Sequence, residues 1–187
     1  MQTMPSGSIL DKTLFCQLST LTMLRIGIIS DLHGTFDEPL KRFLAEVDEI
    51  WCAGDIGNAE AAAAMVAFGK PVVAVYGNID DYTLRLTYPE WQCFEREGAK
   101  ILMTHIGFYA GRYTREVFAK ICSLRPTIFV CGHSHILRVG YDKRRGVLNI
   151  NPGAAGCNGF HPVRTAVRFT LDEGTPRDLE VWELERH

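Results

Sequence analysis

Five short apolar runs in this chain end in side chains that can hold a metal ion. The first begins at Leu24 and stops at Asp31, Leu32, His33 and Gly34. Three isoleucines in so short a run favour a buried strand over a helix. Residues i and i+2 of a strand share a face, so extended backbone carried through the end would aim Asp31 and His33 at one point. A carboxylate and an imidazole converging there suit a metal ion. Taken alone, the stretch is read equally well as a solvated strand-to-helix turn with Asp31 as the cap. The other run ends shift that balance: Gly54-Asp55, Gly77-Asn78, His105, and Gly132-His133-Ser134-His135. Four of the six histidines occupy such ends and none sits in the middle of an apolar run.

The elements between these ends explain how they could meet. Residues 38–47 place Leu40, Phe43, Leu44 and Val47 at helical spacing with Lys41, Arg42 and Glu46 opposite, which reads as a surface helix packed on a sheet. Glu49 to Ala53 is a short strand. The alanine-dense stretch 59–68 is a helix, stopped by Gly69 and Pro71. Strands follow at 72–76, 100–104 and 127–131, with a helix over 112–124 that ends before Pro126. Repeated strand, helix, strand order implies a largely parallel arrangement, in which ligands collect beyond the carboxyl ends of the strands. The five ends can therefore share one site.

The last third has a different texture. Strands at 136–141, 147–150, 165–171 and 178–184, separated by the turns 142–146 and 172–174, read as an antiparallel meander. Lys143, Arg144 and Arg145 are charges on a hairpin tip. Asn151-Pro152-Gly153 is a tight turn after a strand that could return toward the site. No G-x-x-x-x-G-K-[ST] or G-x-G-x-x-G is present, so a glycine-rich nucleotide cradle is not supported. Ser134 lacks the adjacent carboxylate and elbow pattern of a nucleophile.

With 187 residues, 47% hydrophobic and 22% charged, the chain can bury one substantial core. A net charge of -2 gives no bulk attraction to nucleic acid or to anionic membranes, and no apolar run reaches the ~18–20 residues of a membrane span. Residues 1–22 lack the basic and apolar regions of a secretory signal and read as a dispensable tail or the product of an upstream start. The alternative is an amphipathic segment docked on the domain of residues 23–187. The six cysteines form no C-x-x-C pair, and Cys52 and Cys131 lie inside apolar runs. Reduced thiols and a cytoplasmic location are the simplest account.

Asp31 and His33, Gly54-Asp55, Gly77-Asn78, His105 and Gly132 to His135 together resemble the ordered motif set of the calcineurin-like metallophosphoesterases. More narrowly, the chain resembles the small bacterial and archaeal phosphodiesterase branch that also contains the retromer subunit Vps29. The resemblance covers residues 23 to about 184 and implies an α/β fold, a two-sheet β-sandwich flanked by helices. It further implies that Asp31, His33 and His135 hold one metal, Asn78, His105 and His133 the other, and that Asp55 bridges them. Two such ions, about 3.5–4 Å apart, would activate a bridging hydroxide for direct attack on a small phosphodiester. On this reading Asp31, Asp55, Asn78 and His105 are the catalytic residues. The mixed donor set fits Mn, Fe, Ni or Zn better than Ca, and the Asn oxygen favours Mn. A homo-oligomer is compatible with all of this.

One position departs from the wider superfamily. Many members have a histidine after the G-N pair that protonates the leaving oxygen, whereas Ile79 stands here and cannot donate a proton. The narrower branch also lacks that histidine. Asp80, in the place of the family's usual acid, is expected to support the ligands from behind. Tyr82, Arg85, Phe108, Tyr109, Arg112 and Tyr113 follow ligand positions in loops, where an Arg with aromatics could hold a phosphate and a ring. Ordinary packing is the competing account of each. A hydrolase is the leading reading and a Vps29-like binding scaffold the alternative; a nuclease is disfavoured by the absence of a basic stripe.

Overall fold

The computed structural model describes residues 23–109, 111–159 and 161–186; residues 1–22, expected to be a tail, lie outside this description. In chain order the first half contains β1 (Leu24–Ile29), α1 (Glu38–Leu44), β2 (Glu49–Cys52), α2 (Ala59–Ala67), β3 (Val72–Ala74), α3 (Tyr82–Thr87), β4 (Trp91–Arg96) and β5 (Ala99–Thr104). The second contains β6 (Phe108–Tyr109), β7 (Arg112–Tyr113), α4 (Arg115–Leu124), β8 (Ile128–Val130), β9 (Leu137–Asp142), β10 (Val147–Pro152), β11 (Val163–Asp172) and β12 (Thr175–Glu185).

Two five-stranded sheets carry the fold, in the orders β12-β11-β1-β2-β3 and β4-β5-β8-β10-β9. Strands β1, β2 and β3 are mutually parallel, as are β5, β8 and β10, so the run ends that bear the candidate ligands lie at the carboxyl edges of both sheets. The last third is not one meander. Strands β9 and β10 form a hairpin on the second sheet, while β11 and β12 pair antiparallel on the first, next to β1. Both sheets are therefore mixed, and residues 153–162 carry the chain from one to the other.

The period of two in each strand builds a layered core. Ile26 and Ile28 of β1, Trp51 of β2, Ile101 and Met103 of β5, Ile128 and Val130 of β8, and Val167 and Phe169 of β11 fill the space between the sheets. Ile29, Ile50 and Cys52 point the other way and pack with Leu40, Leu44 and Met65 of α1 and α2. Leu102 and Phe129 point outward from the second sheet onto Val117 and Ile121 of α4. Sheet on sheet with helices outside is the expected two-sheet sandwich. The indole of Trp51, fully buried, donates to Glu49 at 2.8 Å, and the other Glu49 oxygen accepts from Arg96 at 2.8 Å, so this buried carboxylate is paired.

Four stretches differ from the sequence reading. The helix expected from Arg112 begins at Arg115, because Thr114 caps it through Val117 N–H while Arg112 and Tyr113 pair with Phe108 and Tyr109. Tyr82 and Arg85, expected in a loop, lie on α3, capped by Asp81, and residues 91–96 form β4, which turns back into β5 through Glu97 and Gly98 at φ 44° and 81°. Helix α1 stops at Leu44, before Val47, and β3 stops at Ala74, before Tyr76. No helix among the described residues is long and apolar enough to cross a membrane.

Candidate metal centre

The loops that leave β1 and β2 are laced together by main-chain hydrogen bonds. Asp31, His33 and Gly34 N–H donate to the carbonyls of Gly54, Asp55 and Ile56 at 3.0, 3.0 and 2.8 Å. This ladder sets Asp31 beside Asp55, both carboxylates buried. On the second sheet, Gly132 N–H donates to His105 O at 2.9 Å, which sets the loop of His133 and His135 beside His105. From the far side, Ala155 and Gly156 N–H donate to the carbonyls of Ser30 and Asp31.

Asp31 and His33 do meet at one point, but not by strand alternation. Asp31, His33, Asp55, His133 and His135 all have left-handed backbone, with φ of 53°, 47°, 52°, 68° and 57°. Each such residue costs of order 1–3 kcal/mol, and a packed framework of this kind is what holds them there. Two motif glycines are required by close approach. A Cβ on Gly77 would fall on the Asp55 carboxylate, and one on Gly132 would fall on the Ser30 hydroxyl.

Five of the seven candidate ligands bring ligand atoms together at this junction, Asn78 joins them through His105, and His133 stands beside His105. Ligand atoms of Asp31, His33 and His135 lie within 4.8 Å of one another, and so do those of Asp31, Asp55 and His105. His33 Nε2 is 3.1 Å from His135 Nε2, and Asn78 Oδ1 is 3.0 Å from His105 Nε2. His133 is more exposed; its ring centre lies 5.2 Å from that of His105, and its main-chain N–H donates to Asp31 Oδ2 at 3.1 Å. The resemblance gives the shared position to Asp55, which groups with Asp31 and His105 and lies on the Asn78 side, while Asp31 belongs to both groups.

The donor set fits a cation. His105 Nδ1 lies 2.7 Å from the carbonyl of Ala53, which requires the proton on that nitrogen and turns Nε2 toward Asp55 and Asn78. Asp31 Oδ1 is buried without a hydrogen-bond partner among the described residues, although His135 Nε2 stands 3.2 Å away out of line. A buried carboxylate oxygen left in this way is costly unless a positive charge completes it. Burial pushes the Asp55 carboxyl up, but the His105 hydrogen bond and charge and the Ile79 N–H outweigh it, leaving the group below its ordinary value. His105 moves the opposite way: burial lowers it, and Asp55 and Asp31 more than offset that. Burial and then the charge of His105 hold His133 low.

Asp80, buried, accepts from Gly57 N–H and Gly77 N–H at 2.7 Å each, and so ties the Asp55 loop to the Asn78 loop. Ile79 is 46% exposed at the rim, with its N–H on Asp55 Oδ1 at 3.1 Å. The sequence reading noted Asn151 as part of a turn and gave it no contact; it donates to Gly132 O at 2.7 Å and to the Ser134 hydroxyl at 3.1 Å, bracing the loop of His133 and His135. Its signal was the turn after a strand that could return toward the site. The substrate candidates separate. Arg85 is committed to the carbonyls of Asp80 and Asn78, Tyr113 donates to Asn149 at 2.7 Å as a packing residue, and Tyr82 is exposed on α3. Phe108 and Arg112 line clefts near the centre, and Tyr109 is described by its backbone alone.

A family model for the calcineurin-like phosphoesterase superfamily domain matches residues 24–174. No curated protein matches this sequence. Among solved structures, a novel archaeal phosphodiesterase is 20% identical, with 85% of this chain and 100% of that one covered and a TM-score of 0.67. Vps29 of Chaetomium thermophilum is 14% identical over 88% of this chain and 100% of that one, with a TM-score of 0.66. Vps29 of Entamoeba histolytica complexed with zinc is 19% identical over 88% and 100%, with a TM-score of 0.59. At these identities the likeness is one of fold. The family model covers the strands that end in the candidate ligands together with the loops that bring them into one cluster, and on that match the chain belongs to the calcineurin-like phosphoesterase superfamily.

Proposed function

We propose that this chain is a dinuclear-metal-dependent phosphodiesterase that hydrolyses small phosphate diesters by direct attack of water, without a covalent enzyme intermediate. The observation that carries the reading is the convergence of carboxylate, imidazole and amide groups on one point: Asp31 Oδ1, buried and without a hydrogen-bond partner among the described residues, beside the Nε2 of His135 and the Asp55, Asn78 and His105 group. Two divalent ions bound there would supply an activated water and the positive charge that a phosphate diester needs on its oxygens. Manganese is the expected metal, with zinc, iron and nickel next; the zinc complex of the Entamoeba Vps29 keeps zinc in view.

The chain's own residues do the rest. Asp31 and Asp55 would supply the charge that retains the ions, and His105 is kept by Ala53 in the tautomer that can ligate. Asp80 fixes the spacing of the Asp55 and Asn78 loops. Ile79 occupies the position from which a leaving oxygen would be protonated and offers no proton, so aryl diesters with good leaving groups are the favoured test substrates. The five free thiols among the described residues agree with a cytoplasmic location.

A chelator-stripped sample reloaded with manganese should hydrolyse bis(p-nitrophenyl) phosphate, and the stripped sample should not. Ile79 and the Vps29 neighbours support one other reading, a binding scaffold. Near-stoichiometric metal without turnover would select it.

A further inference from the structure

A phosphodiester carries two substituents, and two clefts of opposite chemistry adjoin the candidate centre. The smaller, about 390 Å³, opens beside Asn78 and His105 and has Glu90 and Glu116 on its walls. Its one guanidinium, Arg85, already donates to two main-chain carbonyls. That wall disfavours a substituent with further negative charge.

The larger, about 740 Å³, begins at His133 and runs past Ile136 and Ile150 to Phe108 and Arg138. This size falls in the range of about 300–1,000 Å³ of pockets that enclose drug-sized ligands. Arg138 projects from β9 and lays its guanidinium 4.0 Å from the centre of the Phe108 ring. Among the described residues it makes no hydrogen bond or ion pair, whereas Arg145 nearby is held by Asp142 at 2.8 Å. Beyond Arg138 the surface continues into a further cleft that shares Phe108 and Arg138 and adds Arg112 together with the paired Asp142 and Arg145. An unpaired planar cation on an aromatic ring, at the side of an apolar cleft that opens onto the centre, is suited to stack a flat ring and to attract an anion.

We propose that the preferred substrate is a nucleotide-type diester, whose nucleoside substituent occupies the His133-side cleft with its base against the Phe108 and Arg138 pair. This assignment rests on the phosphodiesterase reading and names its substrate class. Arg138 and Phe108 are then specificity residues, and any additional phosphate on the nucleoside is directed toward Arg138 and Arg112.

The test compares manganese-loaded wild type, Arg138→Ala, Phe108→Ala and the hairpin-tip control Arg144→Ala. Rates are measured on thymidine 5′-(p-nitrophenyl phosphate) and bis(p-nitrophenyl) phosphate, and binding of thymidine 5′-monophosphate by calorimetry. Wild type should show a KM about tenfold lower for the nucleotide ester, and Arg138→Ala should raise that KM and the Kd for the monophosphate about tenfold, the order expected for one lost stacked cation, with kcat changed far less. Phe108→Ala should act in the same direction and Arg144→Ala should match wild type. Equal KM values for the two esters, or Arg138→Ala tracking wild type, would overturn the subsite while hydrolysis of both esters left the activity standing. Monophosphate binding that depends on Arg138 in a protein that turns over neither ester would overturn the activity and keep the subsite. An oligothymidylate that binds more tightly than the monophosphate would overturn the small-molecule assignment.

Discussion

His105 Nδ1 stands 2.7 Å from the carbonyl oxygen of Ala53, the last residue before the Gly54-Asp55 turn. A side chain at the end of the second sheet is thus oriented by the end of the first, and its free nitrogen faces Asp55 and Asn78. The centre exists only where both sheets are in register. Its residues should therefore respond to changes in the loop framework as well as to changes in the ligands.

Asp80 is the clearest test of that framework. It takes two main-chain N–H groups at 2.7 Å while buried, and hydrogen bonds to a charged group contribute about 1.5–3 kcal/mol each. Asp80→Ala is expected to lower the stability of the metal-free protein by about 3 kcal/mol and to weaken metal binding about 10- to 100-fold. Urea unfolding of the stripped variant and a metal titration read the two effects separately. An unchanged midpoint would remove Asp80 from this role.

Much of this arrangement was legible in the sequence because a parallel strand declares itself by a β-branched run and a ligand type at its end. Asp31, Asp55, Asn78, His105 and the His133, His135 pair were found in this way. What was not legible depends on partners far along the chain. Arg138 lies on a strand whose sequence gives no sign of which loop it faces, and β4 alternates Trp91, Cys93 and Glu95 on one side with too little contrast to read as a strand. Extended geometry for Asp31 and His33 was the natural expectation, but left-handed backbone is set by the loop ladder and not by local propensity.

Arg164 is buried and donates to both oxygens of Asp37, at 2.7 and 2.8 Å, while its Nε donates to Ala155 O in the loop behind Asp31. The Arg164 hydrogen bond is the main cause that holds the Asp37 carboxyl below its usual 3.8. A lowered carboxylate contributes stability that is fully present above the unfolded value and lost as pH falls through the folded one. Asp37→Asn keeps a good helix cap and removes the ion pair, so it should cost about 1–2 kcal/mol near neutral pH after allowance for solvent screening. The difference in melting temperature from wild type should shrink below about pH 4. A constant difference across that range would contradict the assignment.

Burial pushes the thiols of Cys52 and Cys131 up to about 12, whereas Cys93, Cys122 and Cys157 are exposed. In a Cys16→Ser background, a disulfide reagent at pH 8 should titrate the three exposed thiols in native protein and all five after denaturation. Fast reaction of a fourth thiol in the native state would mean that one strand end opens readily.

Ile79 bears on the leaving group. p-Nitrophenolate, with a conjugate acid near ~7, needs little protonation, whereas an alkoxide depends on a general acid worth typically ~10²- to 10⁴-fold. The wild type should hydrolyse aryl diesters measurably and alkyl diesters poorly, and Ile79→His should raise the rate selectively for poor leaving groups with unchanged metal content. A flat dependence of the wild-type rate on leaving-group pKa would require another proton source.

The central claim is that these seven side chains hold two metal ions, and elemental analysis of wild type beside Asp55→Ala tests it most directly. Asp55 groups with both Asp31 and His105, so its loss should remove at least one of two ions per chain and nearly all hydrolysis of bis(p-nitrophenyl) phosphate, with the fold retained by circular dichroism. Two ions per chain in folded Asp55→Ala would contradict the account.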